Sequence, residues 1–270
     1  MVRQFTVLFL LLLVTGRGVS AQKTDDPKVA LGSKTAKGGF QNEDEIRDKF
    51  SRWQTDAEAR VWLETMNHRI AEITSVSATK PHGEKADVEV TVKTKSGERV
   101  DRISIKLVSS PQGFNQIDKR WVATYAKMWS MPPEVVDALK LFVGETPPKA
   151  PSRDQRRMYL NELDQQSQQA VLDFFTAHKA EIVSDLLSGD GAHAADWMMV
   201  TYKATDKPQW VIKSSATAIK FYSEGPVEFT RTGNLKIGRI TMQRKGGDNG
   251  RETAKMLQFK INPVQLFDAK

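Results

Sequence analysis

Two short segments alternate apolar and polar residues: Lys85-Ala-Asp-Val-Glu-Val-Thr-Val-Lys93 and Arg102-Ile-Ser-Ile-Lys-Leu-Val108. Period two is the strand signature, so the pair predicts a β-hairpin. With the turn centred between Ser96 and Gly97, Asp87 falls opposite Lys106 and Glu89 opposite Ser104. Because side chains alternate faces along a strand, these four share one face, and Val88, Val90, Ile103, Ile105 and Leu107 form the other.

Helical spacing dominates on either side. Asn42 is an N-cap candidate ahead of Glu43, Asp44 and Glu45, with Ile46, Phe50 and Trp53 inward. A second helix is expected over Asp56 to Met66, burying Ala59, Trp62, Leu63 and Met66, and a strand over Ile73 to Thr79 before a turn at Lys80-Pro-His-Gly83. After the hairpin comes the loop Ser109 to Gln116, then a helix from Asp118 to Trp129 with Trp121, Val122, Tyr125 and Met128 inward. Pro132 and Pro133 open another helix burying Val136, Leu139 and Phe142. Gly144 to Arg153, with three prolines, is the best internal linker. Beyond it a helical pair, Asp164 to His178 and Ala180 to Leu187, precedes strands at Trp197–Tyr202, Trp210–Lys213, Val227–Thr230, Lys236–Gln243 and Lys255–Ile261, with a short helix near Ala216 to Tyr222. This is a mixed α/β pattern with a central, partly antiparallel sheet.

Composition narrows the chemistry. The 270 residues suffice for a core that needs no staples. A net charge of +7 and a pI near 9.4 favour a polyanionic partner. The absence of cysteine excludes disulfides, thiol chemistry and thiolate zinc sites. The four histidines lack metal-site spacing and read as surface or satisfied interior groups. Arg3, the apolar run Phe5 to Val14 and the small residues Val19-Ser-Ala21 read as a secretory leader, or else as a start placed too far upstream; Gln22 to Gly39 read as a flexible lead-in. The apolar run is too short to span a bilayer.

Three segments carry candidate chemistry. Cross-strand neighbours lie about 5 Å apart, so the polar face of the hairpin would set two carboxylates, a hydroxyl and an amine around a divalent cation and a reacting phosphate; otherwise it is a solvated strand face. The stretch Gln243-Arg-Lys-Gly-Gly-Asp-Asn-Gly-Arg-Glu-Thr253 combines donors and acceptors suited to base edges with glycines that allow close approach, although alone it reads as a flexible basic loop. The loop Gln112-Gly-Phe-Asn-Gln116 presents an aromatic and amides that could enter a groove, with Lys119, Arg120 and Lys127 behind it for phosphates; the alternative is a helix entry with Phe114 as a core anchor.

The runs Leu31-Gly-Ser-Lys-Thr-Ala-Lys37, Lys106-Leu-Val-Ser109, Gly113-Phe-Asn-Gln-Ile-Asp-Lys119, Arg244 to Thr253 and Leu257-Gln-Phe-Lys260 resemble the HinP family of type II restriction endonucleases, which cut at GCGC. The similarity extends from about Leu31 onward. It implies a PD-(D/E)xK nuclease fold, a mixed sheet flanked by helices, as one endonuclease domain over 31–270, its catalytic part near 31–145 and its DNA-recognition part near 154–270. By position it implies Asp87 as metal-binding aspartate, Lys106 as catalytic lysine, Mg²⁺ held by Asp87 and the Ile105 carbonyl, and Gln116 inserted into the DNA. It also implies base reading by the region of Gln243, Arg244, Lys245, Asp248, Asn249 and Arg251. Where the family carries an acidic or amide residue, this chain has Ser104, a poorer ligand; Glu89, opposite it in the expected register, is the candidate to supply the missing oxygen. The partner implied is double-stranded DNA, met by a monomer or homodimer in the cytoplasm beside a protective methyltransferase, which argues for the extended start over export. A DNA-binding protein that no longer cuts is the main alternative; an exported binding protein is favoured only by the leader.

Overall fold

The computed structural model describes residues 27–81, 85–110, 113–191, 194–247 and 251–270. The leader, His82, His193, Gln112, Asp248 and Asn249 lie outside the described residues.

The chain opens with α1 (Pro27–Ser51) and α2 (Ala57–Thr65), the latter capped by Asp56, whose carboxylate accepts the Ala59 N–H at 3.0 Å. Helix α1 begins well before Asn42. Its start at Pro27 follows the rule that proline suits a first helical turn, and the helix is retained across Gly38 and Gly39 because it lies on the sheet: a Cβ on Gly38 would already touch Leu107 at 3.7 Å. Asn42 is therefore not a cap but a buried mid-helix residue, its Nδ2 donating to Thr201 Oγ1 at 2.8 Å.

Strands β1 (Ile73–Thr79), β2 (Val88–Thr94) and β3 (Gly97–Val108) follow as an antiparallel meander. The register differs from expectation by two residues: Val88 pairs with Ile103, Glu89 with Arg102 and Thr94 with Gly97. The turn is the two-residue Lys95-Ser96, and a shift of two preserves the faces while changing every partner.

Residues expected to start a helix instead form β4 (Asn115–Arg120), and the helix α3 is only Val122–Met128. Within α3, Val122 and Tyr125 are buried as expected, whereas Met128 is exposed. Helix α4 (Pro133–Val143) buries Val135, Leu139 and Phe142 and ends at Gly144, whose left-handed φ of 82° and approach to the Arg156 carbonyl admit no side chain. Helices α5 (Gln165–Ala177) and α6 (Lys179–Leu187) lead into β5 (Trp197–Tyr202), β6 (Gln209–Ser214) and α7 (Ser215–Ser223). The chain closes with β7 (Val227–Phe229), β8 (Leu235–Ile237), β9 (Ile240–Arg244) and β10 (Leu257–Ile261). The single strand expected over Lys236–Gln243 is broken at Gly238, where φ is 59° and a Cβ would strike Tyr222 and Ser223 backbone.

These strands form a sheet β1-β2-β3-β5-β6, mixed because β3 and β5 run parallel, and an antiparallel sheet β4-β10-β9-β8-β7. Strands cross the Pro-rich linker in both directions: β5 and β6 complete the first sheet, and β4 forms an edge of the second. Helices α1 and α2 cover one face of the first sheet, packing Ile46, Phe50, Trp62, Leu63 and Met66 on Val88, Val90, Ile103, Ile105 and Met199. The larger core joins the sheets through Tyr125, Trp129, Phe175 and Phe259, with Tyr125 stacked on Trp129 at 4.8 Å and Phe259 edge-on to both. Among the described residues no helix is long and apolar enough to cross a membrane.

Candidate active site and DNA interface

The β2–β3 ladder ends at Asp87, whose backbone N–H still donates to the Ile103 carbonyl at 2.9 Å. Beyond it the N–H of Ile105 has no strand partner on that side and donates to Asp87 Oδ2 at 2.6 Å. The carboxylate thus extends the ladder by one bond, a charge-assisted one, which fixes its position on the sheet.

Lys106 Nζ closes the constellation, donating to the Ile105 carbonyl at 2.8 Å and to Ser104 Oγ at 3.2 Å, with Asp87 Oδ2 at 3.5 Å. Ser104 Oγ itself lies 3.5 Å from Asp87 Oδ2. Asp87, Ser104, Ile105 and Lys106 are thus brought together. Glu89 is not part of this contact set: it lies opposite Arg102, whose Nε donates to Glu89 Oε1 at 2.9 Å, so the expected pairing with Ser104 is corrected by the register.

Two groups at the site were not singled out for it in the sequence. Glu43 of α1 forms an ion pair with Lys80 at 3.0 Å; burial and the negative field of Asp87 push its carboxyl above the ordinary value, against the pull of Lys80 and Lys106. Lys85, two residues before Asp87, is largely buried, and that burial, with Lys106 nearby, lowers its amine to about 8. Helix α1 reaches the hairpin only through tertiary packing, so no local pattern could have revealed Glu43.

Asp87 and Ile105 converge on Lys106 Nζ through a carboxylate and a carbonyl oxygen, the hard donors that Mg²⁺ takes while keeping waters and substrate phosphates as its other ligands. The donor set fits such an ion, although among the described residues no group of three or more His, Asp or Glu is arranged to hold a metal.

The second sheet carries the candidate DNA-contacting residues. Phe114 is 57 % exposed and Gln116 is also exposed, while Asn115 is half-buried. Gly113 before them is closely packed: a Cβ there would meet Val108 Cγ1 at 2.9 Å, so Val108 would have to shift. Across β10, Lys119 and Gln243 both pair with Gln258, and Arg120 and Arg244 both pair with Leu257. Gln116 lies three residues earlier on β4, hence about 10 Å along the strand from Lys119. The ladder runs on past β9, with Lys245 N–H donating to Met256 O and Gly246 N–H to Ala254 O, before Gly246 and Gly247 take left-handed φ of 64° and 65°. Arg251 re-enters exposed. The remaining described histidine near the sheets, His68, is buried against Asp101 at 2.6 Å, a satisfied interior group.

A mixed sheet flanked by helices, with Asp87 just before β2 and Lys106 on β3, has the fold of the restriction endonucleases. The family model described as R.HinP1I restriction endonuclease matches residues 66–267, and the chain belongs to that family. A crystal structure of the restriction endonuclease MspI in complex with its cognate DNA superposes with a TM-score of 0.62 at 14 % identity, over 87 % of this chain and 93 % of that one. No curated protein matches.

Proposed function

We propose that the protein is a type II restriction endonuclease that hydrolyses both strands of DNA at a GCGC-type site with Mg²⁺. The observation that carries this reading is the convergence of Asp87 Oδ2, the Ile105 carbonyl and Ser104 Oγ on Lys106 Nζ. Asp87 and the Ile105 carbonyl would hold the ion, which when bound supplies a water of lowered pKa and offsets charge on the phosphate. Lys106, released from the Ile105 carbonyl, would orient the attacking water and offset charge on the phosphate, the water's proton passing to solvent. Attack in line with the leaving oxygen then leaves a 5′-phosphate. Phe114 and Gln116 enter the duplex from the tip that Asn115 shares with them, Lys119 holds a phosphate, and Gln243, Arg244, Lys245, Asp248, Asn249 and Arg251 read the bases. GCGC is self-complementary, so each base pair offers guanine acceptors and a cytosine donor to them.

Plasmid carrying one GCGC site is cut with Mg²⁺ and not with EDTA on this reading, and Lys106→Ala binds the duplex without cutting it. Uncut plasmid with retained binding favours the second reading, a non-cleaving DNA-binding protein weakened at Ser104. We place the enzyme in the cytoplasm beside a protective methyltransferase; N-terminal sequencing that finds Gln22 first would instead indicate export.

A further inference from the structure

We propose that Lys85 and Asn115 are positioning residues that couple insertion of the Phe114–Gln116 tip into DNA to the alignment of Asp87 and Lys106. The inference rests on the reading just given and deepens it.

Strand β4 belongs to the second sheet, and its backbone pairs with β10, not with β2 or β3. Two side-chain bonds nevertheless tie it to the catalytic hairpin. Asn115 Nδ2 donates to the carbonyl of Leu107, the residue after Lys106, at 2.8 Å. Lys85 Nζ, two residues before Asp87, donates to the carbonyl of Ile117 at 3.1 Å. Asn115 and Ile117 are the neighbours of Gln116, so both neighbours of the proposed insertion residue are bound beside the catalytic pair.

The second tie has a structural cause. The β4–β10 register slips between Phe259 and Lys260, which pair with Asp118 and Gln116, so Ile117 is the unpaired residue of a bulge. A bulge takes a residue out of the ladder and re-aims its groups, and the Ile117 carbonyl is met by the lysine. Burying an amine is costly without partners. Lys85 has that carbonyl and, 4.0 Å away, the carboxylate of Asp118, which in turn accepts from Arg120 Nε at 3.0 Å and from Tyr125 Oη at 2.5 Å. Gly189 closes the slot, a Cβ there meeting Lys85 Cβ at 3.1 Å. This arrangement leaves Lys85 no freedom to serve as a surface cation; a shift of β4 is transmitted to the strand that carries Asp87.

The test is a double-mutant cycle of Lys85→Met and Gln116→Ala, read as single-turnover cleavage of a GCGC duplex with Mg²⁺ and as duplex binding with Ca²⁺. Coupling predicts that Lys85→Met binds within about threefold of wild type but cuts at least about 30-fold slower, and that Gln116→Ala costs less than about threefold more in that background. Effects that simply multiply overturn the proposal, as a merely structural lysine requires. Should Lys85→Met not fold, Asn115→Ala, which cuts the other tie, replaces it in the same cycle. Hydrogen exchange of the DNA-free protein reads the tie independently of activity: backbone amides of 115–120 exchange at least about tenfold faster in the variant while those of β8 and β9 do not, and unchanged exchange overturns the tie. Wild-type protein that fails to cut would sink the functional reading, yet leave the exchange result to judge the tie.

Discussion

Glu89 and Arg102 face each other across the hairpin, Oε1 to Nε at 2.9 Å, with side chains only 25 % and 28 % exposed. A carboxylate already neutralised in this way must give up its partner before it can bind a metal, and it sits two pairs further into the ladder than the position opposite Ser104. Glu89→Ala is therefore expected to cut GCGC duplex within about threefold of wild type, with a loss of stability of about 1 kcal/mol or less, as for a partly exposed pair. A loss of cleavage beyond about 100-fold, with binding intact, would restore Glu89 as a ligand.

Ser104 is 2 % exposed, with β5 paired beside it, Ser104 against Met198, and its hydroxyl is held toward Lys106 and Asp87. Ser104→Ala removes one of three acceptors around Lys106 Nζ, and single-turnover cleavage is expected to fall about threefold to tenfold while duplex binding is unchanged, the scale of one neutral hydrogen bond. Ser104→Asn, which puts an amide where the resemblance implies an acidic or amide residue, should lower the Mg²⁺ concentration needed for half-maximal cleavage. A variant Ser104→Ala as active as wild type would show the hydroxyl to be a spectator.

The polar face of the hairpin could be read from its alternation because the period-two rule is local, and a register error of two residues leaves it intact. Register itself is set by the turn: with Lys95-Ser96 rather than Ser96-Gly97 at its centre, Asp87 comes opposite Ser104 and Glu89 opposite Arg102. Strand β4 was hidden for a different reason. Trp121, Val122, Tyr125 and Trp129 have helical spacing that could be extended backward to Asp118, and only pairing with β10, distant in sequence, holds Asn115–Arg120 extended. Glu43 reads as a helix-start carboxylate, since nothing near it in sequence says that α1 packs across the β2–β3 hairpin.

Phe259 is fully buried edge-on to the stacked pair Tyr125 and Trp129, with ring centroids 5.2 and 5.7 Å away, on the strand that joins β4 to β9. Truncating it opens a cavity that stacked rings cannot close without breaking their own contact. Phe259→Ala is expected to cost about 3–5 kcal/mol, and a denaturant midpoint that does not move would refute the packing described. Because β10 positions both Lys119 and Gln243, duplex affinity should weaken alongside stability.

Glu162 is held by neighbours on several sides, and it ties the end of the Pro-rich linker to the following turn. Burial raises its pKa, but this is outweighed by the N–H of Tyr159 at 2.9 Å, Ser152 Oγ at 2.8 Å and the Arg153 side chain and backbone, leaving it at about 2. The folded value lies below the ordinary 4.5, so the unfolded chain binds the extra proton first as pH falls. The stabilisation is therefore fully present above about pH 4.5 and lost as pH falls through about 2. Glu162→Gln keeps the shape and removes the charge: at pH 7 it should lower Tm by about 2–4 °C, corresponding to about 1 kcal/mol. The gap between the two proteins should close between pH 4.5 and 2 as the wild-type carboxyl takes up its proton. A gap that stays constant across that window would show that the carboxylate charge contributes nothing to holding the linker.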